Sequence, residues 1–513
     1  MSHWSAGYVA DVEYLPGFYA EQTPAHLDAA CLIRGLEPPV RPGEPFRYCE
    51  LGCGLGETAA VIAATNPRAE VYGFDFNPAQ IARGQAFARD AGLTNLHLEE
   101  KSFEELAAPD APALAPFDYV TIHGVWTWVS PANRAHILRF LERHVRPGGL
   151  VLVTYNALPG WTDMGPIQRL LVDLSRFDAE RSDKRVARLL GFARAMSEAG
   201  SPALPKRLLD GLDDKKQAGN TVYLAHEYLN EHWAPAYHGD VAADLAKAKL
   251  DFAGTANILE NFLDVCLTRE QQTLLAQVPA AMQETLKDYF LARSFRRDIF
   301  VRGPRPITER RLRERQRQQR LTLARPLRTV STKIKIPLGE ADLTASTYEP
   351  AFAAMAEAVR SVGEIIDLPA LAASRVNAGE MLGMTMGSKH ALPAPNPVST
   401  ADFERVKAYN LAHLRLCAEE GRAIAALAGC AIGSAVHIGT IEMLTYEALA
   451  TGQPAEVEPV VIEARRLLSE RGGKLRQGEE TIESEEENLG ALRSGVAEIL
   501  ADGLPIWRRI GAI

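Results

Sequence analysis

The chain has 513 residues, enough for about three domains of ordinary size. Apolar residues make up 47% and charged residues 24%, a balance typical of a globular protein, and the net charge of −9 argues against a nucleic-acid polyanion as the main ligand. Six scattered cysteines form no CxxC pair, and the N-terminus has neither the basic nor the apolar segment of a secretory signal, so a reducing, cytoplasmic setting is expected.

Residues 1–45 read as an aromatic-rich cap, with Tyr8, Tyr14, Phe18 and Tyr19 ahead of "TPAHLDAACLIRGL". There Thr23 is placed to cap a helix that Pro24 opens. From residue 46 short apolar runs alternate with amphipathic helical runs. "RYCELG", "EVYGFDF", "NLHLEEKSF", "FDYVTIHGV" and "LVLVTYN" read as five strands, the last preceded by a turn "RPGG". Between the first three strands "GETAAVIAATN" and "NPAQIARGQAFARDAG" read as helices, and "SPANRAHILRFLERHV" reads as another after the fourth. Strands separated by helices of this length imply βαβ units and a parallel sheet, an α/β fold over residues 46–165.

After residue 165 the pattern becomes mostly helical, and 166–300 is read as a second, helical domain. Arginines crowd residues 293–328, and 301–330 reads as an Arg-rich connector with a solvated helix in "RRLRERQRQQRL". The last domain, 331–513, opens on the alternating "TKIKIP" and is otherwise read as helical. Its uncharged stretch Ala423 to Ile441 falls short of the roughly 20 strongly apolar residues of a spanning helix. It is expected to be a buried helix running through Gly433 into a second element, and no stable membrane insertion is expected.

The chemistry concentrates at "YCELGCGLGET". Gly52, Gly54 and Gly56 lie between a strand and a helix, where glycine lets a ligand approach main chain. Asp75 ends the next strand, 23 residues after Gly52, the place of an acid that grips ribose hydroxyls. A dinucleotide usually brings GxGxxG and sets its pyrophosphate over the helix N-terminus. Here the spacing is GxGxG, Glu50 precedes the loop, and Glu57 at the helix start would repel phosphate. Acids in these places suit a cationic head such as the amino group of S-adenosylmethionine (SAM).

"ELGCGLGET", "GFDFNP" and "RPGGLVLVTYN" resemble class I SAM-dependent methyltransferases over residues 46–160. The resemblance implies a Rossmann-like sheet of seven strands with the last antiparallel. It implies Glu50 near the methionine moiety, Gly52, Gly54 and Gly56 beneath it, and Asp75 on the ribose, with Phe76 and Asn77 beside it. At the third-strand exit, where the family commonly has an Asp for the adenine amino group, this chain has Ser102 and Phe103. "HGVWTWV", "TYNALPGW" and "YLAHEYLNEHWAPAYHGDV" further resemble bacterial methyltransferases with a methyltransferase regulatory domain, whose best-understood members are rickettsial protein-lysine methyltransferases. This resemblance covers roughly residues 8–300.

Methyl transfer to an amine needs alignment, exclusion of water and a deprotonated acceptor; desolvation lowers a lysine's pKa, and aromatic faces hold the methylated cation. Trp126 and Trp128 after the fourth strand, and Tyr155, Asn156 and Trp161 after the fifth, are candidates to border the acceptor site. His123 is a candidate base or cofactor contact, and Tyr8, Tyr14 and Tyr19 are candidates to close over the cofactor. His226 and His232 stand six apart, on different helix faces, so no metal is expected. A protein or peptide substrate is the leading expectation, a small molecule or modified peptide the alternative, and a SAM-binding scaffold with little turnover the reading of another class; nucleic acid ranks below these, and the oligomeric state is left open.

Overall fold

The computed structural model describes residues 7–14, 16–111, 113–216, 221–477 and 480–513, so the first six residues of the cap lie outside it. Five parallel strands follow the sequence pattern: β1 (Arg47–Leu51), β2 (Glu70–Asp75), β3 (Leu96–Glu100), β4 (Phe117–Ile122) and β5 (Val145–Asn156). Two later strands, β6 (Leu250–Thr255) and β7 (Phe295–Arg302), complete the sheet in the order β3-β2-β1-β4-β5-β7-β6. β7 runs antiparallel to both its neighbours. This is the seven-stranded Rossmann-like sheet that the resemblance implied.

The cap supplies α1 (Pro24–Ile33), and the sheet alternates with α2 (Glu57–Thr65), α3 (Pro78–Asp90), α4 (Phe103–Ala107) and α5 (Pro131–His144). Burial on both faces follows the strand period of two. On β5, Leu150 and Leu152 pack with α1 and α2, while Val151, Val153 and Tyr155 pack with α5 on the other side. The first of these cores continues without a break into C-terminal residues such as Leu321, Tyr409 and Ala428. The chain between β5 and β6 forms a helical insertion, α6 (Gly165–Ser175), α7 (Ser182–Glu198), α8 (Lys206–Lys216), α9 (Thr221–Tyr228) and α10 (His238–Ala246). Its own core gathers Ile167, Val186, Leu190 and Leu224.

Three local expectations are corrected. "RPGG" is not a turn ahead of the fifth strand but part of it; β5 begins at Val145, Gly148 takes a φ of +80°, and the register with β4 shifts between Phe117 and Tyr119. The uncharged stretch near Gly433 is not a helix but a hairpin of Ile424–Gly429 with Ser434–Gly439. Gly433, at φ +58°, sits in its connection, where a left-handed residue turns the chain. The stretch 166–300, read as helical, also carries β6 and most of β7, and the Arg-rich 301–330 holds the helix Glu309–Gln318 and a short strand, Arg320–Leu323. Among the described residues no helix is long and apolar enough to cross a membrane.

Candidate active site

The glycine loop is folded back onto the sheet. Gly52 and Cys53 both donate their N–H to the carbonyl of Phe74, at 2.8 and 3.1 Å. All three glycines are left-handed, with φ of +74°, +56° and +72°. A Cβ on Gly52 would stand 2.5 Å from Val125, and one on Gly56 would stand 2.8 Å from Leu98. The outer two glycines therefore let the loop lie close against its neighbours. The middle one, Gly54, has only the Gln80 amide near its absent Cβ, at 3.4 Å, so its face stays open.

Two buried carboxylates flank this cradle. Asp75 is 8% exposed; its Oδ2 accepts from the Gly54 N–H and its Oδ1 from the Asn77 N–H, both at 2.9 Å. Burial raises its pKa, and these main-chain donors work against the rise. Glu50 is 5% exposed, and its Oε2 has no hydrogen-bond partner. Burial pushes its carboxyl up to about 8, with Gln22 and the Ala59 N–H opposing the rise. A buried acid with one unpartnered oxygen, beside an open main-chain face, is what a ligand with a cationic amine would satisfy. These residues fit SAM.

The other cofactor candidates divide. Phe76 meets Tyr8 edge-on with ring centres 5.9 Å apart, above the end of β2. The Asn77 side chain is committed as the cap of α3, accepting from Ala79 and Gln80 N–H. Ser102 caps α4 in a reciprocal box with Glu105, and Phe103 opens that helix half-buried.

Of the six acceptor-side candidates, His123 lies against the cap residue Tyr19, while Asn156 is buried at the end of β5, where its N–H reaches the Thr127 hydroxyl at 3.4 Å and its carbonyl accepts from the Ala236 N–H. The His123 ring lies 3.9 Å, centre to centre, from that of Tyr19, and its Nδ1 is 3.3 Å from the Thr154 hydroxyl, which accepts from the Gly124 N–H. Burial pushes its pKa down to about 4, so the ring is neutral at neutral pH. Trp126 is 2% exposed and packs in the core with Phe74 and Phe140. The Tyr155 hydroxyl donates to Asp298 Oδ2 at 2.6 Å inside a buried network that includes His238 and Arg296. Trp161 packs against Tyr228 and Trp233 in the insertion core, and Trp128 is buried. Strand-end aromatics and aromatics at an opening carry the same sequence pattern; only the packing separates them.

The N-terminal segment straps the site closed on one side. The Gly7 and Val12 carbonyls bond Glu231 N–H and His226 Nε2, Val9 N–H donates to Asn230 Oδ1, and Glu13 pairs with Arg83 of α3. Tyr8 and Tyr14 flank the His226 ring at 5.5 and 5.1 Å. His226 thus pins the strap, and His238 bonds Asp298 at 2.9 Å. Among the described residues no three His, Cys, Asp or Glu side chains gather to hold a metal ion.

Beyond the Tyr19–His123 stack a cleft of about 1070 Å³ opens between the sheet domain and the C-terminal region. Tyr19, Glu21, His26 and Arg297 line the sheet-domain side, and Leu392, His437 and Trp507 are among the residues opposite. Sequence reasoning passed over Glu21 and Arg297. No local motif marks either, because they meet across 276 positions, Arg297 Nε donating to Glu21 Oε1 at 2.7 Å.

Comparison with known proteins places these features in a family. Residues 49–151 match the model described as a methyltransferase domain, and residues 220–302 match the one described as a predicted methyltransferase regulatory domain. The uncharacterized protein sll1526 of Synechocystis sp. is 32% identical over 519 aligned positions, covering 99% of each chain. RP789 of Rickettsia prowazekii is 26% identical over 294 residues, 56% of this chain and 51% of its own. The structure of PKMT2 from Rickettsia typhi in complex with AdoHcy superposes with a TM-score of 0.69 at 19% identity, covering 97% of this chain and 99% of that one. That likeness extends the shared fold over the C-terminal region.

Proposed function

We propose that this chain, which belongs to the class I SAM-dependent methyltransferases carrying a methyltransferase regulatory domain, N-methylates lysine side chains of a protein substrate. SAM, when bound, supplies an electrophilic methyl group on a sulfonium. Glu50 would take its amino group, the glycine loop its methionine backbone, and Asp75 its ribose. Support for these assignments comes from the open face of Gly54 and the unpartnered Oε2 of Glu50.

The observation that carries the protein-substrate reading is the cleft of about 1070 Å³ lined on one side by Tyr19, whose ring lies against that of His123. A small acceptor is better served by an enclosed pocket; a large open cleft suits a folded or extended polypeptide that offers one side chain. A lysine amine must lose its proton from a reference pKa of about 10.4 before it can act as nucleophile. The Tyr19 and His123 rings give it a wall of low polarity, which favours the neutral amine. A neutral His123 adds no competing positive charge there. The resemblance to rickettsial protein-lysine methyltransferases in the regulatory-domain motifs points the same way.

The test is incubation with methyl-labelled SAM and cell extract, followed by separation of protein, RNA and small molecules. Label recovered as methyl-lysine after hydrolysis of the protein fraction supports the reading. Label confined to small molecules replaces it with the small-acceptor alternative.

A further inference from the structure

The short turn Ala20–Gln22 stands at the boundary between cofactor cradle and cleft, and its side chains divide between them. Gln22 is fully buried beneath the cradle; the Tyr48 hydroxyl reaches it at 3.5 Å, and it opposes the pKa rise of Glu50. Tyr19, immediately before the turn, lays its ring against His123. Glu21 instead lines the cleft, with 19% of its side chain exposed. Burial opposes its charge, but the neighbouring Arg297 guanidinium outweighs that and holds its pKa below the ordinary value.

Every other acid lining the cleft has a different engagement. Glu442 accepts from the Gly439 N–H as a helix-capping group. Glu498 and Asp502 both pair with Arg328 across the C-terminal region. Glu21 is the cleft acid that adjoins the Tyr19–His123 wall. One of its oxygens takes Arg297 Nε, and a carboxylate offers about four lone-pair sites, so room for a second cation remains. Arg297 is itself held in place: its Nη1 donates to Asn257 Oδ1 at 3.3 Å, and its guanidinium lies 4.9 Å from the centre of the Phe295 ring. The basic partner is therefore fixed on β7, and the acid is presented to the groove.

We infer that Glu21 and the ring of Tyr19 form a lysine-binding subsite in the cleft, the ring taking the aliphatic stem and the carboxylate receiving the arriving ammonium, which then gives up its proton to solvent before methyl transfer. This inference rests on the protein-lysine reading. It assigns to the cap segment a role in selecting the acceptor, separate from any role in covering the cofactor.

The experiment uses the full chain and the extract fraction that the wild-type enzyme labels. The wild type is assayed first for methyl-lysine, then Glu21→Gln and Glu21→Asp are compared with it for SAM affinity by calorimetry and for acceptor KM and kcat. The subsite predicts roughly a tenfold or greater rise in acceptor KM for Glu21→Gln, SAM affinity within twofold of wild type, and partial recovery of KM in Glu21→Asp. Unchanged acceptor KM in Glu21→Gln, with methyl-lysine still formed by the wild type, overturns the subsite and leaves the lysine reading standing. Loss of SAM affinity and thermal stability together, with acceptor KM unmoved, shows a structural tie to Arg297 and also overturns it. Absence of methyl-lysine from the wild-type product removes the lysine reading itself and the subsite with it.

Discussion

Arg422 Nη2 donates to both carboxylate oxygens of Glu57, at 2.8 and 3.0 Å, across 365 positions of chain. Glu57 is the first residue of α2, directly after the last glycine of the cradle. Its acid charge at a helix N-terminus is favourable on its own, and Arg422 fastens it to the C-terminal region. The nearby His413 Nε2, 3.4 Å from Glu57, does not share in this pairing as a cation. It accepts from the Ala426 N–H at 3.3 Å, and burial holds its pKa down to about 4. Arg83 makes a second tie of the same kind, pairing with Glu13 of the strap and Glu420 of the C-terminal region.

Arg422→Met should therefore loosen the cofactor loop although Arg422 lies far from it in sequence. Breaking a half-buried, two-oxygen pair costs about 1–3 kcal/mol. We expect SAM affinity to fall several-fold in calorimetry and the melting temperature to drop. Wild-type affinity in this variant would show that the C-terminal region does not brace the cradle.

Glu50 supplies a proton-linked prediction. With its pKa pushed up to about 8 by burial, its carboxyl is mostly protonated at pH 7 in the cofactor-free protein. An ammonium placed against it favours the ionised form, so SAM binding should release up to one proton. Calorimetry at pH 7 in buffers of different ionisation enthalpy reads this as a slope in the apparent binding enthalpy. Glu50→Gln should flatten the slope, and a flat line in the wild type would separate Glu50 from the ligand's amine.

Trp126 and Tyr155 should report on folding more than on turnover. Trp126→Ala empties a core position and is expected to cost about 3–5 kcal/mol, seen as a large drop in melting temperature or as insoluble protein. Tyr155→Phe removes one donor to Asp298, which keeps His238 and Arg296, so a loss of about 1 kcal/mol is expected. A stable Trp126→Ala protein with selectively lost turnover would return that side chain to the acceptor site.

Stability should peak near pH 6.5 in the cofactor-free protein. His123, His226 and His413 have pKa values lowered to about 4 by burial, against an unfolded value near 6.5. Below pH 6.5 the unfolded chain binds protons that these native histidines refuse, so stability falls as pH drops from 6.5 toward 4. Glu50 and Asp28 have the opposite linkage. Burial raises both to about 8, so the native state keeps protons that the unfolded chain has already lost, and stability falls as pH rises toward 8. Melting curves from pH 4.5 to 8.5 test this. SAM at saturation should diminish the alkaline loss, because Glu50 is then ionised in the native state too.

The cradle was legible in the sequence because it is local: Glu50 to Glu57 and Asp75 sit at strand ends whose periods of apolar residues are clear. β6 and β7 were hidden for a different reason. "LDFAGT" lies among helices, and "FRRDIFVR" carries arginines that look solvent-facing, yet Arg296 is buried because Asp288, Glu284 and Asp298 surround it. Residues 424–439 misled through composition, since an Ala/Gly-rich run without charges fits a buried helix and a buried hairpin equally. The cleft was invisible for want of any contiguous motif; it exists only where the turn Ala20–Gln22, β7 and the last helices are folded together.

The late completion of the sheet has a consequence for biosynthesis. β5 must wait for β7 to cover its outer edge, and β7 ends at Arg302. While the ribosome is still making the insertion, the half-built nucleotide domain presents a long apolar strand with unpaired amides to the cell. Expressing residues 1–165 alone would make that exposure permanent, so such a fragment should clump rather than yield a miniature enzyme.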